Sequence, residues 1–286
     1  MIDVFKYKPT GRNLLLPPDS LGAQRFGDVL GLCLIVEALR QQWGVEYRIC
    51  PPNHYGWGQT RELVADYVTD TYDGYLEVCG DLWVMADIIH QVTGIVPKLN
   101  TPKKKKKYDI CINPTLGNFY NADRNFSSNL IYRLLDRLRH IDKLAVIGLS
   151  ENLGCYIDEF PNVHWILDDL DKSIEAVLSS QDYIGGDTGL SHLAGASSFY
   201  PKECVFIYGG VSEWRHNDIF QRNKNFYKEW VNIPDEFEPE GYLVKTLKKH
   251  EVIYMDYCGN LSNETLDLLA LLYQGTSSEI NELIES

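Results

Sequence analysis

Short apolar runs alternate with helical patterns along this chain, and its two halves show the same rhythm. In the first half the pattern predicts strands at 13–16, 47–50 and 75–79 and a helix at 28–43. In the second half it predicts strands at 109–113, 144–148, 163–167, 183–185 and 204–208 and helices at 128–140, 173–180 and 188–197. Because strands alternate with helices in both halves, we expect an α/β protein with two Rossmann-like, doubly wound parallel sheets.

The composition changes between Ile95 and Tyr108, where prolines and five consecutive lysines predict a solvated linker. The run from Lys103 to Lys107 could instead be a patch that binds nucleic acid or a membrane. One short run beside a proline is more often a linker. The expected organisation is an N-terminal domain at 1–100, a linker at 101–108, a C-terminal domain at 109–261 and helices at 262–286 that could cross back to the N-terminal domain.

The composition is typical of a soluble globular protein, with 44% hydrophobic and 23% charged residues. No apolar run approaches the roughly 20 residues needed to span a bilayer, and the N-terminus lacks the features of a signal peptide. The seven cysteines are scattered and form no C-x-x-C pair, as is usual for buried free thiols. We therefore expect a cytoplasmic protein.

The net charge of −13 argues against a nucleic-acid partner. Binding a phosphate backbone usually requires a basic face, because phosphate neutralisation supplies most of the affinity. A local basic groove on an acidic protein would still allow such a partner, so nucleic acid is disfavoured and not excluded.

The segment 183–196, YIGGDTGLSHLAGA, carries the strongest chemical signal in the chain. An apolar strand runs into glycines, then an acid, a hydroxyl and a glycine, and then a helix of small residues. The glycines let the backbone turn, and the helix start presents unpaired N–H groups and the positive end of its dipole. This order predicts an anion site for a nucleotide or a sugar phosphate.

A second helix start, at Gly27 and Asp28, lies in the first half. In α/β sheets, ligands bind at the carboxyl ends of strands, beside helix starts. Two such domains that face each other form a cleft with one helix start on each wall. This arrangement is the glycosyltransferase B architecture.

The segment 187–196 resembles the donor-site signature of the ADP-heptose:lipopolysaccharide heptosyltransferase family. Gly27 and Asp28, at the head of the first helix, resemble the N-terminal signature of the same family. A weaker match is RNFS at 124–127, where the family has a basic residue, an aromatic residue and a proline. The matches follow the family's order and cover the architecture of most of the chain.

The resemblance implies an inverting, metal-independent transfer of a sugar from a nucleotide-diphosphate sugar, with no cofactor beyond this donor substrate. The first domain would then face the acceptor, and the second would bind the donor. A sugar hydroxyl is a poor nucleophile, so a carboxylate close to it is useful as a general base. Asp28 lies at a helix start across the expected cleft, where the dipole would keep it ionised. The alternative is that Asp28 only caps its helix.

Without a metal, fixed N–H donors and cations must stabilise the departing diphosphate. The backbone amides of Thr188, Gly189 and Leu190 and the Thr188 hydroxyl suit that task. Ser191 belongs to the same expected donor site.

Two further residues of this segment could contact the donor. Asp187 would repel a phosphate, so we expect it to accept hydrogen bonds from the sugar hydroxyls unless it is a plain helix cap. His192 lies on the same helix face as Thr188 and could donate to a phosphate or to the sugar. A packing role for His192 is equally consistent with the sequence.

Other candidates follow neighbouring strands of the second half. Arg124 is the best candidate for a cation on the diphosphate, although a solvated surface arginine fits nearly as well. Thr115 could add a hydroxyl contact. Ser150 and Glu151 are placed to contact the nucleoside, since an acid near this position contacts the ribose in the family that this chain resembles.

The sequence predicts no metal site. Asp169-Leu-Asp171 has the Asp-x-Asp form of metal-dependent transferases, but it precedes a helix and lies among acids, so capping is the better interpretation. The seven histidines show no H-x-x-x-H spacing. Hydrolase, NTPase and dinucleotide-binding motifs are also missing.

Several functions stay open at this point. The acceptor could be a glycan or a small molecule, or a modified base in viral DNA. The protein could instead be an epimerase of the same architecture, or a binding module for nucleotide sugars without catalysis. Neither the donor sugar, the nucleotide base nor the acceptor can be read from the sequence.

Overall fold

The chain forms two parallel sheets with helices packed against them. The computed structural model describes residues 5–15, 26–50, 63–76, 88–89, 91–92, 99, 101–114, 125–199, 201–209, 211–237, 249–255 and 260–273.

The first sheet has three short strands in the order β2-β1-β3. They are β1 (Asn13–Leu15), β2 (Arg48–Cys50) and β3 (Gly74–Tyr75), and the long helix after β1 is α1 (Phe26–Trp43). Both strand pairs are parallel, so the carboxyl ends of all three strands lie at one edge of this sheet.

The second sheet has six parallel strands in the order β6-β5-β4-β7-β8-β9. The strands are β4 (Tyr108–Asn113), β5 (Leu144–Gly148), β6 (His164–Leu167), β7 (Ser180–Gly185), β8 (Glu203–Gly209) and β9 (Lys249–Met255). The helices are α2 (Ser128–Leu138), α3 (Ser150–Leu153), α4 (Leu170–Leu178), α5 (Gly189–Ala196), α6 (Val211–Trp230) and α7 (Asn263–Leu272). The chain builds outward from β4 to β6 and then restarts on the other side of β4 with β7.

Neighbouring residues of the central strands face two different cores. Cys111 and Tyr183 point into a core that the second sheet shares with the first, whereas Ile112 and Ile184 point into a core beneath α2 and α7. Because both faces are covered, these strands are almost continuously apolar. This explains why the hydrophobic pattern was sufficient to locate them.

Helix α1 is the link between the two sheets. All of its residues from Val29 to Val36 are buried, which is expected for a helix that is apolar around its whole circumference. It packs along α5 of the second sheet. One apolar core therefore extends from Leu14 in the first sheet to Phe206 in the second.

The lysine run at 103–107 lies against elements of the second sheet. Lys106 forms an ion pair with Asp109 at 2.9 Å, and Lys107 pairs with Glu175. Just before the lysines, the Thr101 hydroxyl donates to Ser197 Oγ at 3.2 Å, directly after α5. These contacts use part of the positive charge of the run within the chain itself.

Helix α6 carries the chain back to the N-terminal segment. Its residues Phe220 and Tyr227 are fully buried, and Val231 directly after it forms an antiparallel bridge with Phe5. In the described part of the segment 262–286, α7 instead packs on α2, where Arg137 Nε lies 2.6 Å from Asp267 Oδ1.

The predicted fold class is confirmed, and most strand positions in the second half agree with the prediction. β5 has the predicted bounds, and β4 begins one residue earlier than expected. Three of the elements named above were not predicted, α3, α6 and β9. The predicted strand at 75–79 lies within the described residues only as far as Leu76.

Asp182 on β7 makes the stability of the fold depend on pH. Burial, and then the neighbouring carboxylate of Glu203, raise the pKa of Asp182 from 3.8 to about 6. An acid whose pKa is higher in the folded state contributes less stability as pH rises from about 4 to about 6. We expect Asp182→Asn to raise the free energy of unfolding at pH 7.5 by about 1 kcal/mol, after allowing for screening at a half-buried site.

Urea unfolding at pH 4 and pH 7.5 measures this effect. The advantage of Asp182→Asn over the wild type should shrink toward zero at pH 4. Asp142→Asn, at an exposed position before β5, is the matched control and should show no such change. An equal gain from Asp182→Asn at both pH values would contradict the assignment.

Candidate functional site at the end of β4 and β7

The strand order of the second sheet reverses between β4 and β7, and the candidate site lies at this point. In open α/β sheets, a reversal of strand order leaves a crevice at the carboxyl ends of the two strands, where ligands bind. The ends of the two strands are joined here, since the Gly186 N–H donates to the Asn113 carbonyl at 3.1 Å. The predicted anion segment thus begins at the switch point.

Thr188 is the N-cap of α5. Its backbone is extended, with φ −133° and ψ 162°, and its hydroxyl accepts from the Ser191 N–H at 3.2 Å. Asp187 is therefore not the cap of this helix. The first-turn N–H groups of Gly189 and Leu190 have no acceptor within the helix, as at any helix start.

Asp187 and His192 form a buried acid–base pair beside this helix start. Their side chains are 2% and 4% exposed, and His192 Nε2 lies 3.9 Å from Asp187 Oδ1. Such a pair is ionic only when the imidazole is protonated. A buried carboxylate and a buried imidazole are thus held within one turn of the predicted anion site.

Two buried residues that the sequence did not single out hold the Asp187–His192 segment in place. Asn113, at the end of β4, donates from Nδ2 to Thr188 Oγ1 at 2.8 Å. Tyr183, on β7, has its hydroxyl 2.9 Å from Ser191 Oγ. Asparagine at a strand end is common in turns, so its type gave no signal. Its position beside Asp187 follows only from the pairing of β4 with β7.

The start of α1 packs directly on the start of α5. A Cβ added at Gly189 would lie 2.8 Å from the Gly27 nitrogen and 2.8 Å from Phe26 Cδ1. A Cβ added at Gly27 would lie 3.2 Å from Gly189 Cα and 3.4 Å from His192 Cδ2. Only residues without a side chain allow this approach, so the two helix starts that the sequence identified meet at one place.

Asp28 is the third residue of α1, which begins two residues earlier than predicted. It therefore lies inside the first turn and not at the helix boundary. The side chain of Asp28 is not among those that the structure describes. Its chain neighbour Gly27 is the residue in contact with Gly189.

The remaining predicted residues follow β4 and β5. Ser150 and Glu151 begin the short helix α3 after β5, and both are exposed. The Ser150 N–H donates to Asp168 Oδ1 at 3.0 Å, and the hydrogen bonds from Ser150 lower the pKa of Asp168. Thr115 and Arg124 lie outside the described residues.

The capping interpretation of Asp169 is confirmed. Asp169 is the N-cap of α4, and its carboxylate accepts from the Lys172 N–H at 2.9 Å. Within the described ranges, no three histidine, cysteine or acidic side chains are grouped so that they could hold a metal ion. Likewise, no helix in the described part of the chain is long and apolar enough to cross a membrane.

No protein-family model and no curated protein matches the sequence. Solved structures match the fold, and two E. coli heptosyltransferases are among them. E. coli heptosyltransferase WaaC with ADP-2-deoxy-2-fluoro heptose has a TM-score of 0.53 and 12% identity over 93% of this chain and 100% of that chain. E. coli ADP-heptose lps heptosyltransferase II has a TM-score of 0.51 and 11% identity over 92% of this chain and 99% of that chain. The chain therefore has the heptosyltransferase-like glycosyltransferase B fold that its two motifs predicted.

Proposed function

We propose that this protein is an inverting, metal-independent glycosyltransferase. It would transfer a sugar from a nucleotide-diphosphate sugar to a hydroxyl of a glycan or a small molecule. The observation that supports this most strongly is the position of the α5 start. It opens at the switch point of the second sheet, and the α1 start with Asp28 lies against it.

In this proposal the diphosphate of the donor binds at the start of α5. The N–H groups of Gly189 and Leu190 would donate to the phosphate oxygens, and Gly189 would let an oxygen approach the backbone closely. Fixed donors of this kind stabilise the charge that grows as the sugar–phosphate bond breaks. Asp187 would accept hydrogen bonds from the sugar hydroxyls, and His192 would support it as a donor.

The transfer itself would be a single displacement. The acceptor hydroxyl attacks the anomeric carbon, its proton passes to the Asp28 carboxylate, and the nucleoside diphosphate leaves with the bonding electron pair. A single displacement inverts the anomeric configuration. No residue on the donor side needs to form a covalent intermediate.

Four further residues complete the proposed donor site. Arg124 and Thr115, which follow β4 in the chain, would contact the diphosphate. Ser150 and Glu151 would meet the nucleoside from the start of α3, which lies at the same edge of the sheet as α5. Two fold neighbours carry ADP-heptose or an ADP-sugar analogue in their names, so ADP-sugars belong among the first donors to test.

A thermal-shift panel of nucleotide sugars tests the proposal. A donor present at 100 times its Kd should raise the apparent free energy of unfolding by about 2.7 kcal/mol. The matching free sugars are the control and should give no shift, because they lack the diphosphate. No shift with any nucleotide sugar would contradict the proposed donor site.

The donor that binds is then incubated with glycan, small-molecule and DNA acceptors, with and without EDTA. We expect transfer to a glycan or a small molecule that EDTA does not reduce. Loss of turnover in EDTA that Mg²⁺ or Mn²⁺ restores would contradict metal independence. Binding without transfer would indicate a binding module, conversion of the donor alone an epimerase, and transfer to DNA a nucleic-acid acceptor.

A further inference from the structure

A chain of four buried side chains lies beneath the start of α5. It consists of Asn113, Thr188, Ser191 and Tyr183, none of which is more than 7% exposed. Asn113 Nδ2 lies 2.8 Å from Thr188 Oγ1, Thr188 Oγ1 lies 3.2 Å from Ser191 Oγ, and Ser191 Oγ lies 2.9 Å from the Tyr183 hydroxyl. We call these four residues the hydroxyl chain.

The direction of the hydrogen bonds in the hydroxyl chain is fixed at one end. Ser191 Oγ also contacts the Gly186 carbonyl oxygen, which can only accept, so the Ser191 hydroxyl donates there. Ser191 Oγ must then accept from its other neighbours. Burial raises the pKa of Tyr183, which keeps its hydroxyl protonated and able to donate to Ser191.

The proton of the Thr188 hydroxyl is the part of this group that is held most weakly. A hydroxyl has one proton and two lone pairs. The lone pairs of Thr188 Oγ1 accept from Asn113 Nδ2 and from the Ser191 N–H. Its proton has a partner in Ser191 Oγ at 3.2 Å, which is longer than a normal O–H···O bond. A ligand oxygen at the helix start can therefore accept a hydrogen bond from the Thr188 hydroxyl at little cost.

Gly185 leaves space for the Tyr183 hydroxyl. A Cβ added at Gly185 would lie 2.4 Å from the Tyr183 hydroxyl. Any side chain at Gly185 would push this hydroxyl away from Ser191. The backbone of β7 thus makes room for the tyrosine to donate.

We infer that Asn113 and Tyr183 are positioning residues that orient the Thr188 hydroxyl as a pure donor toward the ligand. Asn113 fills a lone pair of Thr188, and Tyr183 fills one of the two lone pairs of Ser191, so Ser191 Oγ competes less strongly for the hydrogen bond from Thr188. A site with this polarity selects a phosphate oxygen, which only accepts. The inference rests on the proposed function, since it specifies how the same site would recognise the diphosphate.

Calorimetry tests the inference. It measures the binding of ADP, UDP, GDP and CDP, and each is compared with its nucleoside. In Tyr183→Phe, Ser191 lacks its donor and draws the Thr188 proton away from the ligand. We expect affinity for the diphosphate to fall about three- to tenfold, with nucleoside affinity unchanged. Asn113→Asp offers Thr188 an acceptor and adds a negative charge, so its loss should be about 100-fold.

Two further variants separate this role from a merely structural one. Adding Ser191→Ala to Tyr183→Phe removes the competing acceptor, so diphosphate affinity should return toward the wild-type value. Tyr47→Phe removes the hydroxyl of another fully buried tyrosine and should leave both affinities unchanged.

The outcomes distinguish the inference from the proposed function. If the wild type binds no nucleoside diphosphate, the proposed donor site fails. If the wild type binds one but Tyr183→Phe binds it equally well, the inference is wrong. Equal losses for nucleoside and diphosphate in Tyr183→Phe, or no recovery in the double variant, would also overturn it.

Discussion

Replacing Asp28 with asparagine should lower the rate of sugar transfer by about 10²–10⁴-fold, the usual contribution of a general base. The donor's Kd should change little, because the proposed donor contacts come from α5 and not from α1. Asparagine keeps the shape of the side chain, but its neutral amide cannot accept the proton as the carboxylate does. The expected signature is therefore a fall in kcat with the donor KM nearly constant.

The control for this experiment lies on the same helix. Glu37 in α1 carries the same charge, but its carboxylate contacts Gln41 and Arg40, more than two turns after Asp28. Glu37→Gln should therefore retain most of the transfer rate. Full activity in Asp28→Asn would rule out Asp28 as the base, whereas a rise in donor KM alone would assign it to donor binding.

Replacing Gly189 with alanine should cause the second large effect, a loss of transfer of about 100-fold. The new Cβ would lie 2.8 Å from the backbone nitrogen of Gly27, and that backbone belongs to a helix held in the core. The two helix starts must then separate, and displacement of a catalytic group by about 1 Å can cost about 100-fold in rate. Overpacking should also lower the free energy of unfolding by about 1–3 kcal/mol.

A graded series of glycine variants tests the cause of this effect. Gly27→Ala should be milder than Gly189→Ala, because its nearest contacts are 3.2 Å and 3.4 Å. Gly154→Ala is the control, since nothing lies within 4 Å of the added Cβ and its backbone is already helical. Transfer rates and urea unfolding of the three variants give the order. If Gly189→Ala behaves like Gly154→Ala, the contact between the helix starts is not important.

The sequence was most informative where local structure decides the outcome. The strands of the second sheet are buried on both faces, so their apolar runs mark them directly, as at 144–148. The turn at Asp187 and Thr188 was recognisable because glycines and a capping residue follow one another in a fixed order. Helix α6 escaped prediction because most of its residues are polar. Among its described side chains, Phe220 and Tyr227 are fully buried.

The sequence was least informative where residues far apart in the chain meet. Nothing local to Gly27 or Gly189 indicates that they touch, because their contact depends on the packing of α1 along α5. Asn113 gave no signal either, since its role arises from the pairing of β4 with β7. The sequence also left open whether Asp187 or another residue caps α5, which the hydrogen bond of Thr188 decides.

Helices α1 and α5 run in the same direction, since Gly27 meets Gly189 at one end and Ser198 lines a cavity with Gln41 at the other. Each helix start carries about half an elementary positive charge. Two starts in contact therefore place about one full positive charge at a single point, without any basic side chain. The two positive ends repel each other unless anionic groups lie beside them. In a chain with a net charge of −13, acids at the helix starts, Asp187 among them, share this task with an anionic ligand.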